Sequence, residues 1–324
     1  MKPVLSSIEP LRTVEGGRVV LNGSFPALHA PPDVTVGGVS VRVTTASATR
    51  LAVTIPSGLE GGALPVRVAG AVGDPVVLSV GRVWASGLHQ VDSPVFDAAG
   101  SLYVTYSGSR GQESPVSIFR VTRQGARETY ATGIVNATSA AIGPDGALYM
   151  SSRFEGVVYR VADDGTHAAV ASELGIACGL AFDAQGVLYV GDRSGTVFRV
   201  RDGHADAFAS LPASVAAFHL AMSPSGDLFV TGPTLATRDP IYRITTEGEV
   251  STLPCLFGRP QGLAFDEGGA LHVVEALAGS SGVYRIADGV TPELVVSGPS
   301  LIGLAFGPRG QLVVTSNETA YRFD

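Results

Sequence analysis

Cysteine is nearly missing from this chain: only Cys178 and Cys255 occur among 324 residues. Two thiols far apart in sequence make neither a disulfide framework nor a paired-cysteine zinc motif. Lysine is scarcer still, since Lys2 is the only one and arginine supplies the rest of the positive charge. Genome composition explains that bias as well as function does, so no chemistry is read from it. The formal net charge of −7 leaves no basic footprint for nucleic acid or an anionic membrane. No apolar run approaches the length of a membrane span. The first ten residues lack the apolar stretch of a signal segment. The expectation is a soluble, cytoplasmic protein, or a secreted or periplasmic one if a leader preceded it.

Glycine (41) and proline (20) are plentiful, as many short strands joined by tight turns require. In the first 79 residues, alternating apolar runs have the period of half-buried strands. They include Arg18-Val19-Val20-Leu21, Val39-Ser40-Val41-Arg42-Val43, Leu51-Ala52-Val53-Thr54-Ile55 and Val66-Arg67-Val68. Turn residues such as Glu15-Gly16-Gly17 and Gly37-Gly38 separate them. Five or more short strands in so short a section suggest a small β-sandwich. The ordered set Ile8-Glu9-Pro10, Glu15-Gly16-Gly17, Leu21-Asn22-Gly23-Ser24-Phe25, Val36-Gly37-Gly38 and Thr54-Ile55-Pro56 resembles the IPT/TIG family of immunoglobulin-like domains. That resemblance implies a spacer or binding module without chemistry of its own.

Residues 80–324 repeat one pattern six times: an apolar strand, a tight turn ending in glycine, and a second apolar strand. The turn glycines are Gly100, Gly146, Gly186, Gly226, Gly269 and Gly310, spaced 40 to 46 residues apart. Each copy continues to an aromatic-Arg-apolar third strand, from Phe119-Arg120-Val121 to Tyr321-Arg322-Phe323. Copies one to five add a fourth strand. The sixth lacks it, and Val83-Trp84-Ala85-Ser86-Gly87-Leu88 matches the missing element. The expectation is an all-β chain: a six-bladed β-propeller of four-stranded blades, closed into a ring by that strand. Gly179-Leu180-Ala181-Phe182-Asp183, Leu188-Tyr189-Val190-Gly191-Asp192 and Arg259-Pro260-Gln261-Gly262-Leu263-Ala264-Phe265-Asp266 resemble NHL-repeat and SMP-30/gluconolactonase-like propellers. The resemblance implies a ligand funnel at one end of the channel, on a scaffold that hosts hydrolases, lyases and pure binders.

Two columns of residues converge on that funnel. Four residues before the end of each inner strand stand Asp92, Thr138, Cys178, Phe218, Gln261 and Ile302. At the end of each second strand stand Tyr106, Ser152, Asp192, Gly232, Glu275 and Ser316. Arg153 and Arg238 join the rim, the latter on the long loop Pro233–Pro240, which also holds Asp239. A second long loop, Ser107–Pro115, carries Arg110 and Glu113. SMP-30-like lactonases hold a divalent cation with Glu, Asn and Asp from the first column. Here Asp92 stands for the Glu, but the other places offer only Cys178, Phe218, Gln261 or Ile302. One carboxylate and a distant amide make a poor site for Ca²⁺, Mg²⁺ or Zn²⁺. No cofactor is therefore expected, with Asp92 the lone candidate ligand should a divalent cation bind. Gly143-Pro144-Asp145-Gly146-Ala147-Leu148-Tyr149 is similar to virginiamycin B lyases, yet of that family's catalytic places only Glu275 matches, because Gln261 and Arg259 fill the others.

What remains is His219 with Asp192, Glu275 and Asp92 as candidate catalytic groups. A histidine between carboxylates can serve as acid, base or ligand. A structural role is open for each: a strand-end Asp commonly caps the following turn, and Cys178 fits a small buried hydrophobe. The expected function is binding of a small molecule, peptide or protein in the funnel, with the N-terminal section as spacer. A divergent SMP-30-like hydrolase or lyase using His219 with Asp92 or Glu275 is the alternative.

Overall fold

The computed structural model describes residues 2–26, 30–287 and 291–323, and among these every regular element is a β-strand. No helix long and apolar enough to cross a membrane is present among them.

Seven strands of the N-terminal section lie in the order Val4–Glu9, Arg18–Ser24, Arg50–Thr54, Val39–Ala46, Val34–Val36, Gly62–Val68 and Val76–Val80. They form because alternate positions are apolar and share one core, which includes Ile8, Val19, Leu21, Phe25, Val34, Val36, Leu51, Val53, Val66 and Leu78.

The repeats fold as the period demands. Five separate four-stranded antiparallel sheets begin with the inner strands Val95–Phe96, Ala137–Ile142, Ala177–Phe182, His219–Met222 and Leu301–Phe306. Second strands such as Leu102–Thr105, Leu188–Asp192 and Leu271–Glu275 are buried at every position, because neighbouring sheets cover both of their faces. Each turn glycine has a positive φ, between 73° and 91°, which explains why no other residue stands there. The sixth copy takes Arg82–Ser86 as its outer strand, paired antiparallel with Thr319–Phe323.

Six separate blades are not what the structure contains. The fifth copy, Pro260–Phe265, Leu271–Glu275, Gly282–Ile286 and Glu293–Ser297, forms one end of a twelve-stranded sheet that continues into the N-terminal section. The reason is a two-residue strand, Arg12–Thr13, lying parallel to both Val76–Val80 and Glu293–Ser297. The Thr13 hydroxyl donates to the Ser297 carbonyl at 3.1 Å and accepts from the Ser297 hydroxyl at 2.9 Å. Beside it, Val14 enters the core of the last two copies with Val274, Val296, Leu301 and Phe323. Tyr321 donates to Glu15 at 2.8 Å. The N-terminal section is thus docked on the repeats.

Inner strands of all six copies line one channel of about 350 Å³. Neighbouring strands approach closely at the level of Gly179, Gly262 and Gly303. A Cβ on Gly303 would lie 2.5 Å from Ser93 Cα and 2.8 Å from the Asp92 carbonyl oxygen. Backbone cannot yield as a flexible side chain does, so Gly303→Ala should cost about 1–3 kcal/mol of stability, as overpacking typically does. Urea unfolding of that variant checks it; an unchanged midpoint would mean that the strands have room to part.

Candidate functional site

The wall of the open part of the channel is mostly apolar, with Ile142, Leu180, Phe182, Met222, Phe265 and Phe306 on it. Asp92 lies in the first copy and His219 in the fourth, three copies away, and their side chains meet with Nδ1 2.5 Å from Oδ1. Both are buried, at 4% and 1% exposure, so the pair links the first and fourth copies across the ring. A carboxylate oxygen accepts, so the imidazole donates from Nδ1. That orientation leaves Nε2 buried with no hydrogen-bond partner. Asp92 is itself fixed: Oδ1 accepts from the Ser93 N–H at 2.6 Å, and its carbonyl accepts from Gln90 Nε2 at 2.6 Å. Gln90 Oε1 in turn accepts from the Thr105 N–H at 2.7 Å. An imidazole oriented through Nδ1 by a carboxylate has the form of a general base, provided that a substrate can reach Nε2.

The other expected catalytic carboxylates do not join this pair. Asp192 accepts from the N–H groups of Ile176 and Ser194 at 2.9 and 3.0 Å, and from the Ser194 hydroxyl. Glu275 accepts from the N–H groups of Gly258, Arg259 and Leu277 at 2.5, 2.8 and 2.8 Å. Each ties the end of a second strand to the segment leading into its own inner strand. Ser152 does the same through a 2.6 Å bond to the Val135 carbonyl. These acids are saturated by backbone. Among the described residues, no three of His, Cys, Asp and Glu gather as a metal ion would need.

Several residues expected at the funnel belong to the fold instead. Phe218 is fully buried, its ring lying where Gly232 and Gly191 have no side chain, and Cys178 shares its core. The Thr138 hydroxyl donates to the Asn136 carbonyl at 2.7 Å. Gln261 is 7% exposed, and its carbonyl accepts from the Thr231 hydroxyl at 2.5 Å. Asp239 is likewise structural, accepting from Thr234 N–H and hydroxyl at 3.1 and 2.6 Å.

Tyr106 is partly exposed and meets His89 edge-on at 5.9 Å, while Arg110 and Arg238 are exposed. Arg153 is half-buried. Burial is the main cause that lowers it from the ordinary arginine value, and the Arg193 and Arg110 charges push the same way. His89 is also lowered, by burial first and then by Arg153. Asn136, not expected from the sequence, pins the loop that carries Arg110. Its Oδ1 accepts from the Gly111 N–H at 2.7 Å, and its Nδ2 donates to the Ser107 and Ser109 carbonyls at 2.6 and 2.9 Å. The one signal was its type, since asparagine tolerates the left-handed φ of 50° found here.

Solved structures resemble this arrangement over most or all of the chain. An auxiliary nutrient binding protein from Bacteroides ovatus has a TM-score of 0.57 at 14% identity, covering 100% of this chain and 98% of its own. A protein described as a putative gluconolactonase has a TM-score of 0.61 at 19% identity, over 75% of this chain and 91% of its own. Virginiamycin B lyase from Staphylococcus aureus has a TM-score of 0.52 at 15% identity, over 70% of this chain and 78% of its own. The chain is a β-propeller protein. At such identities the likeness concerns the fold of the propeller and not its chemistry. No family model and no curated protein matches the chain.

Alanine at Asp192 or at Glu275 removes the acceptor of two or three partly buried N–H groups, and each substitution should cost about 1–3 kcal/mol. Chemical denaturation checks this, and a cost near zero would free these carboxylates for another role. Burial pushes the Cys178 thiol up to about 12 from an ordinary 9.0. The folded state therefore keeps this group's contribution below pH 9.0 and loses it as pH rises from there toward 12. Iodoacetamide at about pH 8 should spare Cys178 in the folded protein and modify it after denaturation, as peptide mass mapping would read.

Proposed function

We propose that the chain is a binding protein built as a six-bladed propeller over residues 80–324, with an immunoglobulin-like sandwich over residues 1–79 as spacer or partner-binding module. The ligand, a small molecule or peptide, docks on the loop face above the channel, between Tyr106, Arg153 and the two long loops. Six blades are supported by the fifth copy, whose four strands pair antiparallel in sequence like those of the separate sheets. The observation that carries a binding role is the state of the acids: Asp192 and Glu275 are spent on backbone N–H groups, and Asp92 on His219 and Ser93. Neighbours described as auxiliary nutrient binding proteins share the fold over 99–100% of this chain, which agrees with such a role.

One observation favours a second reading, a divergent SMP-30-like hydrolase or lyase: His219 is oriented by Asp92 while its Nε2 is left without a partner. Ground-state loop movement would be needed to expose that nitrogen.

Two measurements separate these readings. Thermal unfolding is followed with a panel of neutral sugars, sugar acids and short peptides, and hydrolysis of D-glucono-1,5-lactone is followed with and without Ca²⁺ or Mg²⁺. Binding predicts that a panel member raises the melting temperature, that Tyr106→Ala abolishes the rise, and that lactone turnover stays at the uncatalysed rate. Turnover that disappears in His219→Ala would replace the binding reading with the enzymatic one.

A further inference from the structure

We propose that the loop face holds an oxyanion site centred on Arg153 and completed by Arg110 and Arg193, so that its ligand carries a carboxylate or phosphate group. The inference rests on the binding reading above and names the chemistry of its ligand.

Three copies contribute these cations from neighbouring segments. Arg153 follows Ser152, and Arg193 follows Asp192, at the same register in adjacent copies. Arg110 arrives from the first copy on the loop that Asn136 pins by three hydrogen bonds. That loop rests on the second copy beside Arg153: a Cβ on Gly111 would meet the Phe154 ring at 2.8 Å. Arg193 is oriented by Nε donating to the Ser214 carbonyl at 3.2 Å, which leaves its terminal nitrogens free. Arg153 makes no hydrogen bond or ion pair among the described residues, although it is half-buried.

Three arginines of the third strands are paired with carboxylates. Arg120 meets Glu128 at 2.8 Å, Arg160 meets Asp145 at 2.7 Å, and Arg243 meets Asp227 at 2.6 Å. Nearby, Asp92 is bonded to His219 and Ser93, and Asp192 to Ile176 and Ser194, and no ion pair joins the exposed Glu113 or Glu155 to these arginines among the described residues. Three guanidinium groups on neighbouring elements, with no ion pair to a carboxylate among the described residues, repel one another. An oxyanion relieves that repulsion and fits the planar fork of donors bidentately. Arg153 is lowered by burial first and then by the Arg193 and Arg110 charges, which agrees with that placement.

Isothermal titration at low ionic strength tests the site with citrate, inorganic phosphate and, as a neutral comparator, glucose. The variants are Arg153→Ala and Arg201→Ala, the latter removing an exposed arginine at the far end of the third strand that leaves this face. Saturable binding of citrate or phosphate is expected, weakened about tenfold or more by Arg153→Ala and untouched by Arg201→Ala. Preference between the two anions tells carboxylate from phosphate. Absence of saturable binding, or equal weakening by both variants, would overturn the site. A neutral panel compound that binds, depends on Tyr106 and ignores Arg153 would sink the anion assignment alone; if no ligand depends on this face, the binding reading falls with it.

Discussion

Pairing between Arg82–Ser86 and Thr319–Phe323 is the contact on which the rest of the repeat region depends, since it joins the beginning of that region to its end. An open row of sheets would leave two long edges and could spread apart. Once the row is closed, the inner strands are forced together around an axis, and their spacing is no longer free. Glycine at 179, 262 and 303 is the consequence, because backbone passes there within van der Waals reach of the next copy. At the same level the fourth copy carries His219 in place of glycine. Its ring has only the axis to occupy, and Asp92 meets it from across the ring. The link across the channel thus follows from closure of the ring.

The same constraint accounts for the fate of the acids. Every copy must tie the end of its second strand to the segment that enters its inner strand, or the loop face would fray. Ser152, Asp192 and Glu275 occupy one register and perform that one task with different chemistry: a hydroxyl donates to a carbonyl, and carboxylates accept from N–H groups. A carboxylate engaged by two or three backbone donors is stabilised in its ionised form and held in place. It is a poor proton carrier for the same reason that it is a good cap.

Much of this was legible in the residues. The turn glycines, the aromatic-Arg-apolar strands and the displaced outer strand are periodic features, and periodicity survives without knowledge of contacts. The meeting of Asp92 with His219 was legible only as membership of one cluster. What escaped was set by single contacts between distant segments. The merger of the fifth copy with the N-terminal section hangs on Thr13 and Ser297, 284 residues apart, with no pattern to announce it. Phe218 read as funnel lining because its column faces the axis in other copies; Gly191 and Gly232 instead open space for its ring inside the core. Asn136 and Gln90 work through side-chain bonds to backbone that no repeat position predicts.

The two ends of the repeats use their charged side chains differently. At the turn end, each of Asp97, Asp145, Asp183 and Asp266 accepts a backbone N–H of its own turn, and Asp145 and Asp227 also take an arginine from the third strand. Where an arginine is taken, it comes from the same copy as the aspartate. At the loop end Asp92, Asp192 and Glu275 accept from backbone N–H groups, and Arg110, Arg153 and Arg193 make no ion pair among the described residues. Net charge alone hides this, because it averages two ends with opposite uses. A surface whose cations lack internal partners, set beside an aromatic ring and framed by pinned loops, lowers the cost of binding by being ordered beforehand. Asn136 belongs to that economy: it fixes the Arg110 loop before any ligand arrives, so that less ordering remains to oppose the contact.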